Sequence, residues 1–326
     1  MRGTTLVKFL LSMLAVPCVP QAVFAQEYPN KPVRLIIPWA AGGSTDSIGR
    51  ILGQKLGEYT GQQWVIDNRG GATGTIGHAF AAKAAPDGYT LLLGTNSTFA
   101  IAPHLYKGVL QYDNEKAFSP ITLVAISPQI LSVHPSLPVK NARELIALAK
   151  AQPGKIPFST AGVGATSHMA TALFMNLAGV KMQHVPYKGG GPSANALIAG
   201  ETALSFVDAI TALPQARAGR LRLIATSTSK RTSLMPELPT IAESGLPGFE
   251  SVTSFGMFAP AGVSREAIAL VNRETVRALG AADVREKLRA QGIDPVGSTP
   301  EELVAHQKQE TAKWGKVVLE QGIRFE

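Results

Sequence analysis

The sequence predicts an α/β fold, and three observations lead to that prediction. Short apolar runs alternate with segments that carry the 3.6-residue period of amphipathic helices. Glycine-rich loops stand at several points where a predicted strand ends and a predicted helix begins. The 326 residues, 45% of them hydrophobic, are enough for two domains, each with a sizeable core. The composition excludes a disordered chain, because only 17% of the residues are charged, and a disulfide scaffold, because Cys18 is the single cysteine.

The first part of the chain predicts a βαβαβ unit. Predicted strands cover Val33–Ile37, Gln63–Asp67 and Thr90–Gly94, and predicted helices cover Thr45–Tyr59 and Thr75–Ala84. Strands joined by helices in this way form a parallel sheet with right-handed crossovers.

The middle of the chain repeats this alternation. Apolar runs predict strands near Ile130–His134, Ile156–Thr160, Gln183–Pro186, Ala203–Val207 and Leu221–Ala225. The helical period predicts helices near Ala142–Ala151, Ser167–Leu177 and Pro192–Ala199.

The end of the chain is mostly helical by the same criterion. Helices are predicted at Ser264–Leu279, Asp283–Gln291 and Pro300–Gln321. In the last of them Glu, Lys and Gln form an outer face, and an inner face is expected from Leu303, His306, Trp314, Val318 and Leu319.

The N-terminus has the features of a cleaved export signal. Arg2 and Lys8 precede the apolar run 9–16, which is too short to span a bilayer, and Val23 and Ala25 are the small residues that a signal peptidase requires. Residues 1–25 are therefore predicted to be a signal peptide; an anchor or a core helix is the alternative. Cleavage would remove two of the eight net positive charges and the only cysteine. Pro17 directly before Cys18 speaks against a lipoprotein signal.

Four glycine-rich loops are the candidate binding elements, because ligands of open α/β sheets bind at the carboxyl ends of strands. They cover Pro38–Asp46, Asn68–Gly77, Ser159–His168 and Tyr187–Ser193. Each leads into a predicted helix whose first amide groups can point at an anion. The alternative for any one of these loops is a tight turn with a helix cap.

The sequence lacks the motifs of several nucleotide-binding and catalytic classes. No glycine run is followed by the Lys-Ser/Thr of a P-loop, and Ser167 stands where a dinucleotide fingerprint would place its third glycine. Gly-x-Ser-x-Gly, the nucleophile elbow of α/β-hydrolases, does not occur. The six histidines have no spacing typical of a metal site, and the basic residues form no nucleic-acid-binding stripe.

An exported hydrolase stays open as a rival function. Its nucleophile would be Ser44 or Ser167, and its base would be His168 or His78, which lie near suitable loops. His168 has two further interpretations: a neutral imidazole at a helix start that donates to a carboxylate, or a packing residue.

Six separated motifs resemble one known family. They are Pro38–Asp46, Val65–Arg69, Pro86–Leu91, His184–Gly189, Pro236–Thr240 and Phe258–Gly262. In this order, over essentially all of the chain after residue 25, they resemble the Bug family, the periplasmic solute receptors of tripartite tricarboxylate transporters. The resemblance implies a type 2 periplasmic-binding-protein fold, in which two α/β lobes close on a small carboxylate-bearing solute, and a receptor rather than an enzyme. Residues 26–125 and 254–326 are expected to form lobe 1, and residues 126–253 lobe 2.

The resemblance also implies which residues bind the solute. Backbone amides, hydroxyl groups and water, rather than an arginine clamp, hold the carboxylate in this family. The matching positions are Trp39, Ser44, Thr45, Asp46, Thr75, Asn96, Ser97, Thr98, Thr160, Gly164, Ala165, Thr166, His168, Tyr187 and Asp208.

The expected partners follow from the same resemblance. They are a small carboxylic acid (a dicarboxylate, a tricarboxylate, an acidic amino acid or an aromatic acid) and the membrane permease subunits of the transporter. No cofactor, metal or nucleic acid is expected, and the chain is expected to be a periplasmic monomer. A receptor that signals to a sensor kinase is an alternative that the sequence does not separate from a transport receptor.

Two positions bear on the kind of acid. Trp39 and Ala40 stand where the family usually has Pro or Phe-Pro-type residues. The ring of Trp39 either stacks on an aromatic ligand or packs beneath the loop. Ser254, where an aromatic residue is common, leaves room for a bulky ligand. An ionised Asp208 would repel a bare carboxylate, and would favour a ligand with an amine or a contact through water.

Overall fold

The computed structural model describes residues 28–323, so the predicted signal peptide lies outside the described residues. The segment up to residue 95 forms the predicted parallel βαβαβ unit, with β1 between β2 and β3. Its elements are β1 (Val33–Ile37), α1 (Ser44–Thr60), β2 (Trp64–Asn68), α2 (Thr75–Ala82) and β3 (Thr90–Thr95). A 3₁₀ turn, Ala72–Gly74, precedes α2. A π-helical turn, Ser97–Ile101, follows β3 and continues into α3 (Ala102–Leu105).

One long strand, β4 (Phe118–Val133), runs through the centre of the molecule. Only its last residues are predicted from the sequence, because Pro120, Pro128 and several hydroxyl residues interrupt the apolar pattern before Ile130. The first part of β4 pairs with β9 (Val252–Pro260), a strand that the sequence analysis does not identify.

The remaining elements match their predictions within one or two residues, except that α7 and the short β10 are additional. Between β4 and β9 they are α4 (Ala142–Ala151), β5 (Pro157–Thr160), α5 (Thr166–Ala178), β6 (Gln183–Pro186), α6 (Gly190–Ile198), β7 (Leu204–Asp208), α7 (Ala209–Arg217) and β8 (Arg222–Thr226). After β9 they are α8 (Arg265–Gly280), α9 (Ala282–Arg289), β10 (Asp294–Pro295) and α10 (Pro300–Gln321).

The strands form one sheet in the order β2-β1-β3-β9-β4-β7-β5-β6, with β8 and β10 also paired to β4. The prediction of a parallel sheet is correct for β1 to β3 and for β5 with its neighbours β6 and β7. It is wrong for the centre, where β4 and β9 run antiparallel to their partners. The sheet is therefore mixed, and β4 connects its two ends.

Two of the four apolar clusters of the described residues lie on either side of this centre. One is built around β1, β3, β9 and α1, with Leu35 and Leu52 fully buried, and we call this side the first half of the fold. The other is built around β5, β7 and α5, with Phe158 and Phe206 buried, and forms the second half. The predicted lobe boundaries fall inside β4 and β9, and they stay a prediction.

The C-terminal helix α10 packs on the first half through three of the predicted residues. Leu303, Trp314 and Val318 are buried, and His306 is half-buried. The prediction for Leu319 is wrong: its side chain is 82% exposed, although it directly follows Val318. Adjacent helical residues point about 100° apart, so both cannot face the same narrow core. Over the described residues, no helix has both the length and the apolarity needed to cross a membrane.

Candidate functional site

A cavity of about 50 Å³ lies between the two halves, at the carboxyl ends of β1, β3, β5 and β7. Its wall is mostly small and hydroxylated, as the four loops predict. The lining residues are Trp39, Gly43, Ser44, Thr45, Thr95, Ser97, Gln129, Ala161, Ala165, Thr166, Ser167, Gly190, Ser193, Ser205, Phe206, Val207, Asp208, Thr211 and Thr253.

Four helices begin at this cavity. The first residues of α1, α5 and α6 line it, and so does Asp208, which directly precedes α7. The first four amide groups of a helix have no partner within the helix and carry partial positive charge. Within residues 28–323, the lining contains no Lys, Arg or His. An anion in this cavity would therefore be held by amides and hydroxyl groups.

Asp208 is the only ionisable side chain among these lining residues of the described chain. One of its oxygens accepts a hydrogen bond from Ser44 Oγ at 2.5 Å, and the other accepts one from Thr253 Oγ1 at 2.7 Å. Burial raises the pKa of Asp208, while the two hydroxyl donors act in the opposite direction. Because Ser44 lies at the start of α1 and Asp208 at the end of β7, this contact joins the two halves of the fold.

Trp39 packs beneath its loop, and only 6% of it is exposed. A Cβ atom on Gly74 would lie 3.4 Å from its ring carbon Cζ2, so the two loops are in close contact. Trp39 is nevertheless one of the residues that line the cavity, and its Nε1 has no hydrogen-bond partner within the described residues. The hydroxyl of Thr95, also in the lining, lacks a partner as well. Of the two interpretations of Trp39, the structure favours packing over stacking.

Further hydrogen bonds cross between the halves beside the cavity. Ser97 Oγ lies 2.9 Å from Thr166 Oγ1 and accepts a hydrogen bond from the Thr166 amide at 3.0 Å. The carbonyl oxygen of Val163 accepts hydrogen bonds from Thr73 Oγ1 at 2.7 Å and from Tyr106 OH at 3.1 Å. These bonds place the loops before α2 and α5 in direct contact.

Seven of the fifteen predicted site residues line the cavity: Trp39, Ser44, Thr45, Ser97, Ala165, Thr166 and Asp208. The other eight do not: Asp46, Thr75, Asn96, Thr98, Thr160, Gly164, His168 and Tyr187. Arg69 and Lys188, which lie within two of the predicted loops, are also outside the lining.

The polar groups of several of these eight residues hold the protein together instead. The Asn96 amide donates to Glu310 Oε2 at 2.6 Å and to the Val252 carbonyl at 2.9 Å, which ties the end of β3 to α10 and β9. Thr98 Oγ1 donates to the Thr95 carbonyl at 2.8 Å, and Tyr187 OH donates to Glu201 at 3.0 Å.

Asp46 has a similar structural role at the start of α1. Its carboxylate accepts hydrogen bonds from the Gly42 amide and from Arg50 Nε, each at 3.0 Å. Burial alone would raise the pKa of Asp46, but the hydrogen bonds from Arg50, Gly42 and Asn68 outweigh it and hold the pKa below its ordinary value. The carboxylate stabilises the loop that carries Ser44.

His168 lies in a stack of rings outside the cavity. Its ring is 4.2 Å from that of His184, which in turn stacks on Phe158 at 5.0 Å. His168 Nδ1 accepts a hydrogen bond from the Gly164 amide at 3.1 Å, and His184 Nε2 is 2.6 Å from Thr160 Oγ1. Burial lowers the pKa of His168 to about 3 and that of His184 to about 4. Packing is therefore the role that the structure supports for His168.

The structure does not place a serine nucleophile next to a histidine base, as the alternative hydrolase function requires. Ser44 Oγ donates to Asp208, and Ser167 Oγ accepts a hydrogen bond from the Ala161 amide. His168 contacts Gly164, and Nδ1 of the buried His78 lies 3.2 Å from the Gly74 carbonyl. Among the described residues, neither serine has a histidine base to activate it.

Sequence reasoning missed twelve lining residues: Gly43, Thr95, Gln129, Ala161, Ser167, Gly190, Ser193, Ser205, Phe206, Val207, Thr211 and Thr253. Gly43, Ala161, Ser167, Gly190 and Ser193 lie inside the four glycine-rich loops, so the loops themselves were the signal. Thr253 and Gln129 lie on the strands β9 and β4, which the apolar pattern does not reveal at those residues.

Comparison with known proteins agrees with the resemblance noted from the motifs. Residues 48–323 match the model of the tripartite tricarboxylate transporter family receptor. A protein encoded between tcbD and tcbE in Pseudomonas sp. strain P51 is 38% identical over 295 residues, which are 90% of this chain and 87% of that protein. Protein BugT of Bordetella pertussis is 35% identical over 326 residues and is matched over the full length of both chains.

Solved structures of similar proteins share the fold. Rpa4515 of R. palustris, solved with adipate, has a TM-score of 0.89 at 36% identity, over 91% of this chain and 99% of that one. The periplasmic binding protein BugD has a TM-score of 0.88 at 32% identity, over 92% of this chain and 100% of that one. MatC of Rhodopseudomonas palustris, solved with malate, has a TM-score of 0.84 at 31% identity, over 89% of this chain and 100% of that one. The two-lobed binding-protein fold is thereby confirmed.

Proposed function

Because the chain belongs to the tripartite tricarboxylate transporter receptor family, and is a solute-binding receptor rather than an enzyme, we propose that it captures a small carboxylate and delivers it to the membrane subunits of such a transporter. The observation that carries this proposal is the convergence of four helix N-termini on a cavity whose lining, within residues 28–323, has no cationic side chain. Amide and hydroxyl donors suit a carboxylate, and each helix end contributes about 0.3–1 kcal/mol toward an anion.

The bound solute is expected to hold the two halves together. The wall of the cavity comes from both halves, so a ligand that contacts α1 and α5 at once favours the closed arrangement. A cavity of about 50 Å³ leaves little free space, and a solute therefore enters while the halves are further apart. Hinge closure of this kind is the usual response of two-lobed binding proteins.

The similar structures guide the choice of ligands to test. Adipate and malate are the solutes with which Rpa4515 and MatC were solved, and both are short dicarboxylates. We expect a dicarboxylate to bind this chain as well. A panel of adipate, malate, citrate, glutamate and benzoate covers the classes expected from the sequence.

The proposal is tested with protein purified from the periplasm. Solute released by denaturation is identified by mass spectrometry, and the protein, refolded without solute, is then titrated with the panel in a thermal shift assay. At least one carboxylate should raise the melting temperature in a concentration-dependent way, because a ligand that binds only the native state stabilises it. No shift with any member, in a sample shown to be folded, contradicts a carboxylate receptor.

We also propose that the chain is exported and cleaved after Ala25. BugD, a periplasmic binding protein, supports this location, as do the basic and apolar residues at the start of the sequence. The intact mass of the purified protein measures the cleavage site directly. A mass that includes residues 1–25 contradicts the proposal.

A further inference from the structure

We propose that the indole N–H of Trp39 and the hydroxyl of Thr95 form a subsite for an acceptor oxygen of the ligand, which makes Trp39 a specificity-determining residue of the cleft. The inference rests on the proposed function, because it assigns one part of the same cavity to one chemical group of the solute.

Two of the three tryptophans have a hydrogen-bond acceptor for the indole N–H within the described residues. Trp64 Nε1 donates to Thr60 Oγ1 at 3.2 Å, and Trp314 Nε1 donates to Glu310 Oε2 at 2.9 Å. Trp39 Nε1 has no such partner in the described part of the chain, although the residue is only 6% exposed. Of the three, Trp39 is the one that lines the cavity. A buried donor without a partner is unfavourable and rare in folded proteins, unless a ligand or a water molecule accepts its hydrogen bond.

Thr95 supplies a second, independent observation at the same wall. It is 3% exposed and lines the cavity, and its Oγ1 also lacks a partner among the described residues. The backbone amide and carbonyl of Thr95 are both bonded to Thr98 Oγ1, which holds the end of β3 in place. A Cβ atom on Gly74 would touch both Trp39 Cζ2 and Thr98 Cγ2, so the indole edge and this turn meet around one glycine.

The chemistry of the two groups defines what binds them. An indole N–H can only donate, whereas a threonine hydroxyl can donate or accept. The ligand must therefore present an acceptor at this subsite, such as a carboxylate or carbonyl oxygen, and an ammonium group is excluded from it. The carboxyl of Asp208 lines the cavity from the second half of the fold and still has acceptor capacity after its bonds to Ser44 and Thr253. The two walls thus orient the ligand, with an acceptor end toward Trp39 and a donor group or water toward Asp208.

The test is a pair of matched substitutions, Trp39→Phe and Trp64→Phe, with the carboxylate of the panel that binds the wild type most tightly as the probe. Trp39→Phe keeps an aromatic ring but removes the unpaired donor together with part of the buried indole, so the unliganded variant should be somewhat less stable than the wild type. Its affinity should fall about tenfold or more, which is the range for a lost hydrogen bond to a charged acceptor. Trp64→Phe breaks a bond to Thr60, so it should lower stability and leave affinity unchanged.

Thr95→Val tests the second group. This nearly isosteric change also removes an unpaired hydroxyl, and we expect lower affinity without lower stability. A spectroscopic readout comes from the Trp64→Phe/Trp314→Phe double variant, in which Trp39 is the sole tryptophan. Ligand should shift its fluorescence emission, because a new hydrogen bond to the indole changes the environment of the fluorophore.

The outcomes separate this inference from the proposed function. Equal affinity of Trp39→Phe, Thr95→Val and the wild type overturns the subsite and leaves the receptor function intact. The subsite is also overturned if Trp39→Phe and Trp64→Phe lose the same amount of affinity. Both substitutions would then weaken binding by destabilising the protein. If the wild type binds no member of the panel, the proposed function fails and the subsite fails with it.

Discussion

Burial determines the protonation state of His168 and His184. Their rings stack 4.2 Å apart, and protonation of either one would place a positive charge in a desolvated stack. The pKa of His168 falls to about 3 and that of His184 to about 4, below the ordinary value of about 6.5. Both rings are therefore neutral in the folded protein at neutral pH.

We predict that this pair makes the protein sensitive to mild acid. Below pH 6.5 the unfolded chain binds protons that the folded chain does not, so stability is retained above that pH and is lost progressively as the pH falls toward 4. Each such histidine contributes a slope of about 1.4 kcal/mol per pH unit. Urea unfolding of His168→Asn between pH 6 and 4.5 should show a slope reduced by about this amount.

The control for this experiment is Thr171→Ala on the same helix. Thr171 is buried and its Oγ1 donates to the Ser167 carbonyl at 2.8 Å, so the variant should be less stable but should keep the wild-type slope. Asparagine at position 168 can still accept a hydrogen bond from the Gly164 amide, which limits the structural damage. If His168→Asn keeps the full pH slope, the ring stack does not control the acid response.

Some site residues can be predicted from the sequence and others cannot. Ser44, Thr45 and Thr166 stand at the start of a helix after a strand, and that pattern alone places them at the edge of the sheet. Asn96 also follows a strand, but its side-chain amide donates a hydrogen bond to Glu310, which is 214 residues further along the chain. A partner so distant in sequence produces no local sequence pattern that would predict the contact. The same holds for the hydrogen bond from Thr253 to Asp208.

Helix α2 packs so closely against its neighbours that one of its residues must be glycine. A Cβ atom on Gly77 would lie 2.7 Å from Cα of Pro38 and 2.8 Å from the carbonyl oxygen of Arg69. Both contacts are with the backbone, which cannot rotate away as a side chain can. The close approach holds α2 against the loop that follows β1 and thereby positions Trp39.

We predict that Gly77→Ala destabilises the protein although alanine favours helices. Overpacking of this kind costs about 1–3 kcal/mol, which exceeds the gain of about 1 kcal/mol in helix propensity. Gly57→Ala in α1 is the matched control, because its nearest neighbour would be the Gln62 carbonyl at 3.4 Å, an ordinary contact. Gly57→Ala should be neutral or stabilising in chemical denaturation. Equal effects of the two substitutions would show that α2 can move away from Pro38.

Amphipathic helices are among the elements that the sequence predicts well. Helices such as α4 and α8 have a polar face and a buried face, and their bounds match within one residue. The strands β4 and β9 lie at the centre of the sheet, and hydroxyl and proline residues interrupt their apolar runs, so period-2 and apolar-run patterns do not identify them. The antiparallel pairing of β4 with β7 and β8 also departs from the parallel arrangement predicted for the middle of the chain.

At the scale of the whole molecule, the two halves meet along two glycine-rich loops. One loop, residues 40–43, follows β1, and the other, residues 189–191, leads into α6. A Cβ atom on Gly191 would lie 3.0 Å from the Ala41 carbonyl oxygen, 3.1 Å from the Gly42 carbonyl carbon and 3.2 Å from the Gly43 amide nitrogen. The backbones of the two halves are therefore in direct contact at this point, and no side chain separates them.

This contact allows the closed arrangement to be perturbed by a substitution at Gly191, which is itself outside the cavity lining. We predict that Gly191→Ala weakens binding of the carboxylate, because its methyl group must push residues 41–43 away when the halves close. The substitution lies within the first turn of α6, where alanine favours the helix, so the protein should remain folded. Affinity in titration calorimetry should fall severalfold, and small-angle scattering with ligand should show a larger radius of gyration than for the wild type.

Asn195→Ala provides the control, because Asn195 lies on the same helix, is exposed and is outside the cavity lining. It places an alanine in α6 as Gly191→Ala does, but it adds nothing between the two halves. Its affinity and its scattering should match those of the wild type. If Asn195→Ala and Gly191→Ala reduce affinity equally, the cause is a general change in α6. If neither does, the two loops can separate without loss of binding, and contact between them is not part of the ligand-bound state.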